Sequence, residues 1–327
     1  MPDQAEKLRQ LVRTKPKDSL PAAAVRLDGK AMAETERKAR LIAITSGKGG
    51  VGKTSIAGNL AIELALHGKR VVVFDADLSL ANIDVLLGLR PRFNLNHVIS
   101  GERTLEEVVV QGPHGVRIIP ASSGVQGLAN LSREALNRLT GQFSGLERDC
   151  DFLLMDTAAG ISDNVLSFVH AADEILIVTT PEPTAYTDAY AMIKVICEQQ
   201  AWSGVEGRRH PQAALEDGTL GPARGTIGLV INMAQSRREA QNAASGIILI
   251  SRQFLQVGVK DYGYILRDPE VPRATRRQEA FTLFNPTASA SRSVRALAVR
   301  LLKEQVVPGK GSGRGFLDRV AAYFRRD

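Results

Sequence analysis

Cysteine is nearly absent: Cys150 and Cys197 are the two among 327 residues. They form no C-x-x-C pair and no metal spacing, which argues against a disulfide framework and against a cysteine-bound metal. Each sits in or beside an apolar segment and reads as a buried free thiol of a reducing compartment. No apolar run reaches 18 residues, so no segment is expected to span a membrane. The start, Met1-Pro2-Asp3-Gln4-Ala5-Glu6, is polar and acidic, unlike a signal peptide. Acidic charge is scarce at both ends. Residues 1–40 carry ten Lys/Arg against six Asp/Glu, and residues 295–327 carry eight against three. Between them stand 24 against 26, so the net charge of +7 belongs to the ends and places charge-driven partners there. The length and the 44% hydrophobic content suit one large α/β domain with extensions, or at most two domains.

What is present is concentrated in Ile44-Thr45-Ser46-Gly47-Lys48-Gly49-Gly50-Val51-Gly52-Lys53-Thr54. From Gly47 to Thr54 this is the G-x-x-x-x-G-K-T pattern of a phosphate-binding loop. Apolar Leu41-Ile42-Ala43-Ile44 precedes it as a buried strand, and a helical pattern follows from Thr54 to about His67. Glycines let the backbone wrap a phosphate with its N–H groups inward, and the helix N-terminus adds partial positive charge. Gly47, Lys48, Gly49, Gly50, Val51, Gly52, Lys53, Thr54 and Ser55 therefore form the candidate nucleotide site. Lys53 is expected on the β- and γ-phosphates and the Thr54 hydroxyl on Mg²⁺.

Further along, strand patterns alternate with helical ones. Arg70–Phe74 reads as a buried parallel strand ending in Asp75-Ala76-Asp77, and carboxylates at such a strand end lie in the ligand crevice of a doubly wound sheet. Val116–Pro120 is a further strand, and Ser132 is a candidate cap for a helix running to Phe143. Asp151–Asp156 is a buried strand ending in an acid, the position from which Asp156 would hold Mg²⁺. Strands at Glu174–Thr180 and Thr226–Asn232, a helix that Pro181-Glu182-Pro183-Thr184 starts and that runs to about Gln199, and a short strand near Tyr262–Leu266 complete the alternation. Residues 201–225 read as a surface loop insertion. Thr287 to Val307 contains the last domain helix, on Val294, Leu297, Leu301 and Leu302. The fold class is α/β: a doubly wound, mostly parallel sheet with helices on both faces.

Lys48, directly after Gly47, makes the loop read Lys-Gly-Gly-Val-Gly-Lys-Thr. This resembles the deviant Walker A motif of the MinD/ParA ATPases. The resemblance implies that Lys48 reaches the nucleotide of a partner subunit in an ATP-bound homodimer. Asp77–Asp84 resembles the family's first switch, which makes Asp77 the residue that orients the attacking water. Outer-shell Mg²⁺ binding is the alternative for either Asp75 or Asp77. Thr157–Ile161 follows Asp156 as the second switch does. By the same resemblance Asn232 reads the adenine and Asp268 lines the base pocket. Iron–sulfur relatives need paired cysteines, and this chain has none.

Both ends carry amphipathic patterns. Asp3 to Val12 is a short helix with Ala5, Leu8, Leu11 and Val12 on one face. Its Asp3, Gln4, Ala5, Leu8 and Arg9 resemble the Asp-Gln-Ala-x-x-Leu-Arg activator of the FlhG/FleN family, which stimulates an FlhF-type GTPase. At the other end, residues 308–315 read as a glycine-rich hinge. Phe316, Leu317, Val320 and Phe324, with Arg319, Arg325 and Arg326, then form a helix suited to an anionic membrane surface.

The expected organisation is an activator helix (1–13), a linker (14–40), an ATPase domain (41–307) and a hinge with a membrane-targeting helix (308–327). The expected function is an ATP- and Mg²⁺-dependent dimerising switch of flagellar number and placement. It would be cytoplasmic and reversibly peripheral on the inner face of the cell membrane. Expected partners are a second copy, the GTPase, a flagellar transcriptional regulator and switch-complex proteins, with no specific nucleic acid. The alternatives are a partition or division-site positioning ATPase, or a non-catalytic anti-activator scaffold.

Overall fold

The computed structural model describes residues 39–77, 82–120, 131–202, 226–304 and 315–324. The activator residues Asp3, Gln4, Ala5, Leu8 and Arg9, part of the first switch, the 203–225 stretch, residues 308–314 of the hinge, Arg325 and Arg326 lie outside them.

Eight strands form one sheet: β1 (Arg40–Ser46), β2 (Val71–Ala76), β3 (Val110–Gln111), β4 (Arg117–Ile119), β5 (Phe152–Ala159), β6 (Glu174–Thr179), β7 (Thr226–Ala234) and β8 (Val259–Leu266). Their order is β3-β4-β2-β5-β1-β6-β7-β8. All pairings are parallel except β3 with β4, a two-residue edge that the sequence pattern did not reveal.

The inner strands are buried on both faces, and their side chains alternate between two cores. In β1, Leu41 and Ala43 enter one core while Ile42 and Ile44 enter the other; in β2, Val72 and Phe74 oppose Val71 and Val73. Helices α1 (Lys53–Leu66), α2 (Ile83–Leu86), α9 (Glu270–Arg276), α10 (Phe281–Phe284) and α11 (Ser289–Lys303) contribute to one core. The other receives α3 (Leu95–Ile99), α4 (Leu105–Val108), α5 (Arg133–Arg148), α6 (Asp163–Ala171), α7 (Pro183–Trp202), α8 (Arg237–Ile250) and α12 (Phe316–Phe324). Ser132 caps α5 as its position implied, accepting from Ala135 N at 3.2 Å.

Helix α1 is buried from Ile56 to Leu64 without a polar face, so its polar residues need internal partners. Asn59 Oδ1 accepts from the N–H and hydroxyl of Thr282, and Glu63 receives both Nε and Nη2 of Arg295, at 3.2 and 3.3 Å. At the end of the sheet away from the phosphate loop, buried Glu174 meets Arg40 and the Tyr262 hydroxyl, which also lies against Glu304. The Tyr262 ring lies over Gly228, where any Cβ would fall 2.2 Å from it. A glycine inside β7 is thus required by close packing. The scarce cysteines sit inside: Cys150 is buried and Cys197 half-buried, and burial pushes both thiols up to about 12.

The C-terminal helix lies where its sequence did not place it. Its apolar face, expected exposed on a tether, is buried against α5 and α6. Phe316, Leu317, Val320 and Ala321 are all buried, and Phe324 is half-buried. Phe316 joins Phe74, Phe143 and Phe168, with centroids 6.0, 5.6 and 6.1 Å away. Its N–H donates to Glu147 at 2.7 Å, and Arg319 Nη1 reaches Asp173 at 2.6 Å and the Ala171 carbonyl at 3.0 Å. The physical reason is a matched apolar groove: burying each large side chain is worth about 2 kcal/mol, more than a solvated arginine face returns. Phe316→Ala should cost about 3 kcal/mol in urea unfolding, the usual penalty for emptying a buried aromatic site.

Candidate nucleotide site

Register assembles the site. Strand β5 lies between β1 and β2, and its Asp156 pairs in register with Ile44 on one side and Asp75 on the other. Two carboxylates from segments 81 residues apart thus arrive side by side at the strand ends, next to the loop that leaves β1. This is the crevice at the carboxyl edge of a parallel sheet.

The loop turns on glycines. Gly50 and Gly52 have φ of +79° and +90°, which side chains rarely adopt. A Cβ at Gly47 would meet the Asp188 carbonyl oxygen of α7 at 2.2 Å, so the loop is pressed against that helix. Helix α1 begins after Gly52 with no side-chain cap, leaving its first N–H groups for an anion.

The two lysines part company. Lys53 Nζ turns in to the Ser46 hydroxyl at 2.9 Å, and that hydroxyl donates to the Lys48 carbonyl at 2.7 Å. Burial pulls the Lys53 ammonium below its usual range, against the opposing charges of Asp156 and Asp77. Lys48 instead turns out, 44% exposed, to Glu182 at 3.4 Å and Thr184 at 3.3 Å. Such exposed contacts are worth little and are readily exchanged.

Asp156 is buried beside the Thr54 hydroxyl, and its Oδ1 has no hydrogen-bond partner among the described residues. The neighbouring Ser55 hydroxyl is likewise buried and unmatched. Burial pushes the Asp156 carboxyl up to about 7; Thr54 and Lys53 oppose the rise and Asp77 adds to it. An unmatched buried carboxylate oxygen beside a threonine hydroxyl fits a hard divalent cation such as Mg²⁺. Among the described residues no three His, Cys, Asp or Glu side chains converge as a metal group. Phosphate and water would therefore supply the remaining ligands, as is usual for Mg²⁺ held with nucleotides.

Asp75 and Asp77, inseparable in sequence, occupy different settings. Asp75 accepts backbone N–H bonds from Asp77, Asn82 and Ile83 at 3.2, 3.1 and 3.4 Å, and so holds Asp77 together with the start of α2. Burial, then the charge of Asp156, raises its carboxyl to about 7. Asp77 lies close enough to act on both Lys53 and Asp156.

The remaining candidates are already engaged. Asn232, at the end of β7, donates from Nδ2 to the Val51 carbonyl at 2.8 Å and accepts from Met233 N at 2.9 Å. Both oxygens of Asp268 accept backbone bonds, from Glu270 N at 2.9 Å and Ala290 N at 3.0 Å, fixing the starts of α9 and α11. Sequence reasoning missed the bridging hydroxyl of Ser46, the contact of Asp188 with Gly47 and the partners of Lys48. Only Ser46 carried a signal, as a hydroxyl residue directly before the first glycine of the loop.

A folded-state carboxyl near 7, against an ordinary value of 3.8, keeps a proton that the unfolded chain has already released between about pH 4 and 7. Stability must fall as pH rises through that window. Asp156→Asn removes this loss. In unfolding measurements without nucleotide or Mg²⁺, its stability relative to the parent should therefore rise between pH 5 and 8, by about 1 kcal/mol or more.

Comparison with known proteins agrees with this geometry. Residues 37–203 match the ParA family, described as a NUBPL iron-transfer P-loop NTPase. The antiactivator FleN of Pseudomonas aeruginosa is 40% identical over 80% of this chain and 86% of its own length. The flagellum site-determining protein YlxH of Helicobacter pylori is 42% identical over 51% of this chain and 56% of its own. Among solved structures, MinD with Mg-ADP from Pyrococcus horikoshii superposes with a TM-score of 0.62 at 24% identity, covering 81% of this chain and 96% of that one. The MinC:MinD complex of Aquifex aeolicus gives 0.62 at 24%, covering 82% and 98%. At that identity the structures speak for the fold. With an intact phosphate loop, its second lysine and these relatives, the chain belongs to the ParA/MinD family of P-loop NTPases, in the branch of FleN and the flagellar site-determining proteins.

Proposed function

We propose that this protein is an ATP-dependent dimerising switch that sets flagellar number and placement. The observation that carries the reading is the outward Lys48 beside an otherwise complete loop, held only by exposed contacts that a second subunit can replace. Thr54 and Asp156 would hold Mg²⁺, which when bound would neutralise phosphate charge and polarise the γ-phosphoryl group. Lys53 steadies the charge that develops on the phosphates, and Asp77 orients the attacking water. Lys48 reaches across to the partner's nucleotide and closes the dimer. Hydrolysis removes that contact, so a slow ATPase acts as a timer whose output is a protein state.

The docked α12 supports a matching role for the C-terminus. The monomer stows Phe316, Leu317, Val320 and Phe324 against its own domain. Dimerisation releases two such helices, with Arg319, Arg325 and Arg326, to an anionic membrane, where pairing raises avidity without new contacts. The Asp3–Arg9 segment stimulates an FlhF-type GTPase. A second reading, sequestration of a flagellar transcriptional regulator, is favoured by the name of the FleN relative, an antiactivator. It is compatible with the switch if only one nucleotide state binds the regulator. The near-neutral 41–294 region speaks against partition-type DNA binding.

Lys48→Ala should remain monomeric with ATP and lose about 100-fold in turnover, the usual cost of one transition-state donor, while Asp77→Ala should accumulate as an ATP dimer. Light scattering with ADP and ATP checks both, and a Lys48→Ala chain that still dimerises sinks the reading. With ATP, the full chain should sediment with anionic liposomes and residues 1–314 should not. A peptide of residues 1–20 should accelerate GTP hydrolysis by the flagellar GTPase; no acceleration removes that part.

A further inference from the structure

Asn232 is the buried side chain that ties the phosphate loop to the far half of the sheet. It is 6% exposed, and its amide nitrogen points end-on at Gly52, where a Cβ would fall 2.4 Å from Nδ2. The backbone is bent to deliver it. Met233 has φ of +59°, a left-handed conformation costly for a residue with a side chain, and its N–H bonds Asn232 Oδ1 at 2.9 Å. Nδ2 is thereby aimed at the Val51 carbonyl, 2.8 Å away and 181 residues earlier in the chain.

That bond has a geometric consequence. In a trans planar peptide the carbonyl and the following N–H point in opposite directions. Anchoring the Val51 carbonyl on the β7 side therefore turns the Gly52 N–H away from β7. Gly52 immediately precedes α1, where backbone N–H groups collect phosphate oxygens. Gly52 must be glycine for two reasons here: its φ of +90° and the absence of room beneath the Asn232 amide.

We propose that Asn232 is a positioning residue for phosphate: its Nδ2 locks the Val51–Gly52 peptide so that the loop is organised before the ligand arrives. The proposal rests on the reading of the loop as a nucleotide site. It differs from base recognition in what it acts on: a base can meet the remaining lone pair of Oδ1 or the second Nδ2 hydrogen, whereas the lock uses the Nδ2 hydrogen on Val51 and involves no base. Asn232→Asp keeps the shape and the Oδ1 acceptor but sets a second acceptor against the Val51 carbonyl.

The test uses the full chain, with Mg²⁺-tripolyphosphate as a ligand that has no base and with Mg²⁺-ATP and Mg²⁺-GTP. Asn232→Asp should bind tripolyphosphate at least tenfold more weakly, about 1.4 kcal/mol, with the ATP-to-GTP affinity ratio within twofold of the parent. Asn232→Ala buries no charge and carries the same expectation should the Asp variant not fold. Amide hydrogen exchange of residues 48–53 in the ligand-free Ala variant should be faster than in the parent, by tenfold or more. Unchanged tripolyphosphate affinity and exchange, with a collapsed ATP-to-GTP ratio, would make Asn232 a base reader alone and overturn the lock. A parent chain that binds neither ATP nor tripolyphosphate overturns the nucleotide reading, and the lock falls with it.

Discussion

Parallel pairing of β5 between β1 and β2 is the constraint on which the rest depends. It brings Asp156, Asp75 and the start of the phosphate loop to one level, inside a sheet that is buried on both faces. Two carboxylates in so little water repel each other and resist ionisation, and burial dominates both shifts. The structure meets this strain unevenly. Asp75 is satisfied by three backbone N–H groups and becomes part of the scaffold, while Asp156 keeps an oxygen without a partner among the described residues. The charge imbalance left over is suited to a cation arriving with a nucleotide.

Around that centre the fold separates rigid parts from exchangeable ones. Helix α1 is immobilised by burial and by internal partners for Asn59 and Glu63, so the phosphate-facing end of the helix cannot drift. Asn232 adds a cross-link from β7, and Asp188 packs on Gly47 from α7. The outward contacts of Lys48, by contrast, are long, exposed and weak. The docked α12 is intermediate: its four buried side chains hold it, yet it is a nine-residue element whose apolar face has an alternative solvent in lipid. The proposed switch needs this gradation, because only the weakly held parts can change partners within the energy of one nucleotide.

Legibility followed sequence distance. The loop was readable because its chemistry is contiguous: glycines, two lysines and a threonine within eight residues impose their own geometry. Most strands were readable because burial on both faces leaves near-continuous apolar runs, and Ser132 was readable as a cap because capping is local. Asp75 and Asp77 could be found but not told apart, since their difference lies in which backbone groups fold back on them. Asn232 and Asp268 were singled out through family resemblance, yet their partners, Val51 and the start of α11, are distant in the chain or set by loop closure. The 233–258 region carried no decisive pattern and went unassigned, and residues 95–111 read as a small helical pattern, which hid the two-residue edge strand β3 at its end.

The amino-acid sequence by itself determined the phosphate loop, the α/β alternation and the amphipathic character of the C-terminal helix, because each follows from spacing along a few turns of chain. The tertiary structure alone decided which carboxylate is satisfied, which lysine faces inward and where that helix lies. An apolar stripe flanked by arginines is the same pattern whether it meets lipid or a groove of phenylalanines. Only the assembled surface of α5, α6 and β2, with Phe74, Phe143 and Phe168 brought together, offered the groove.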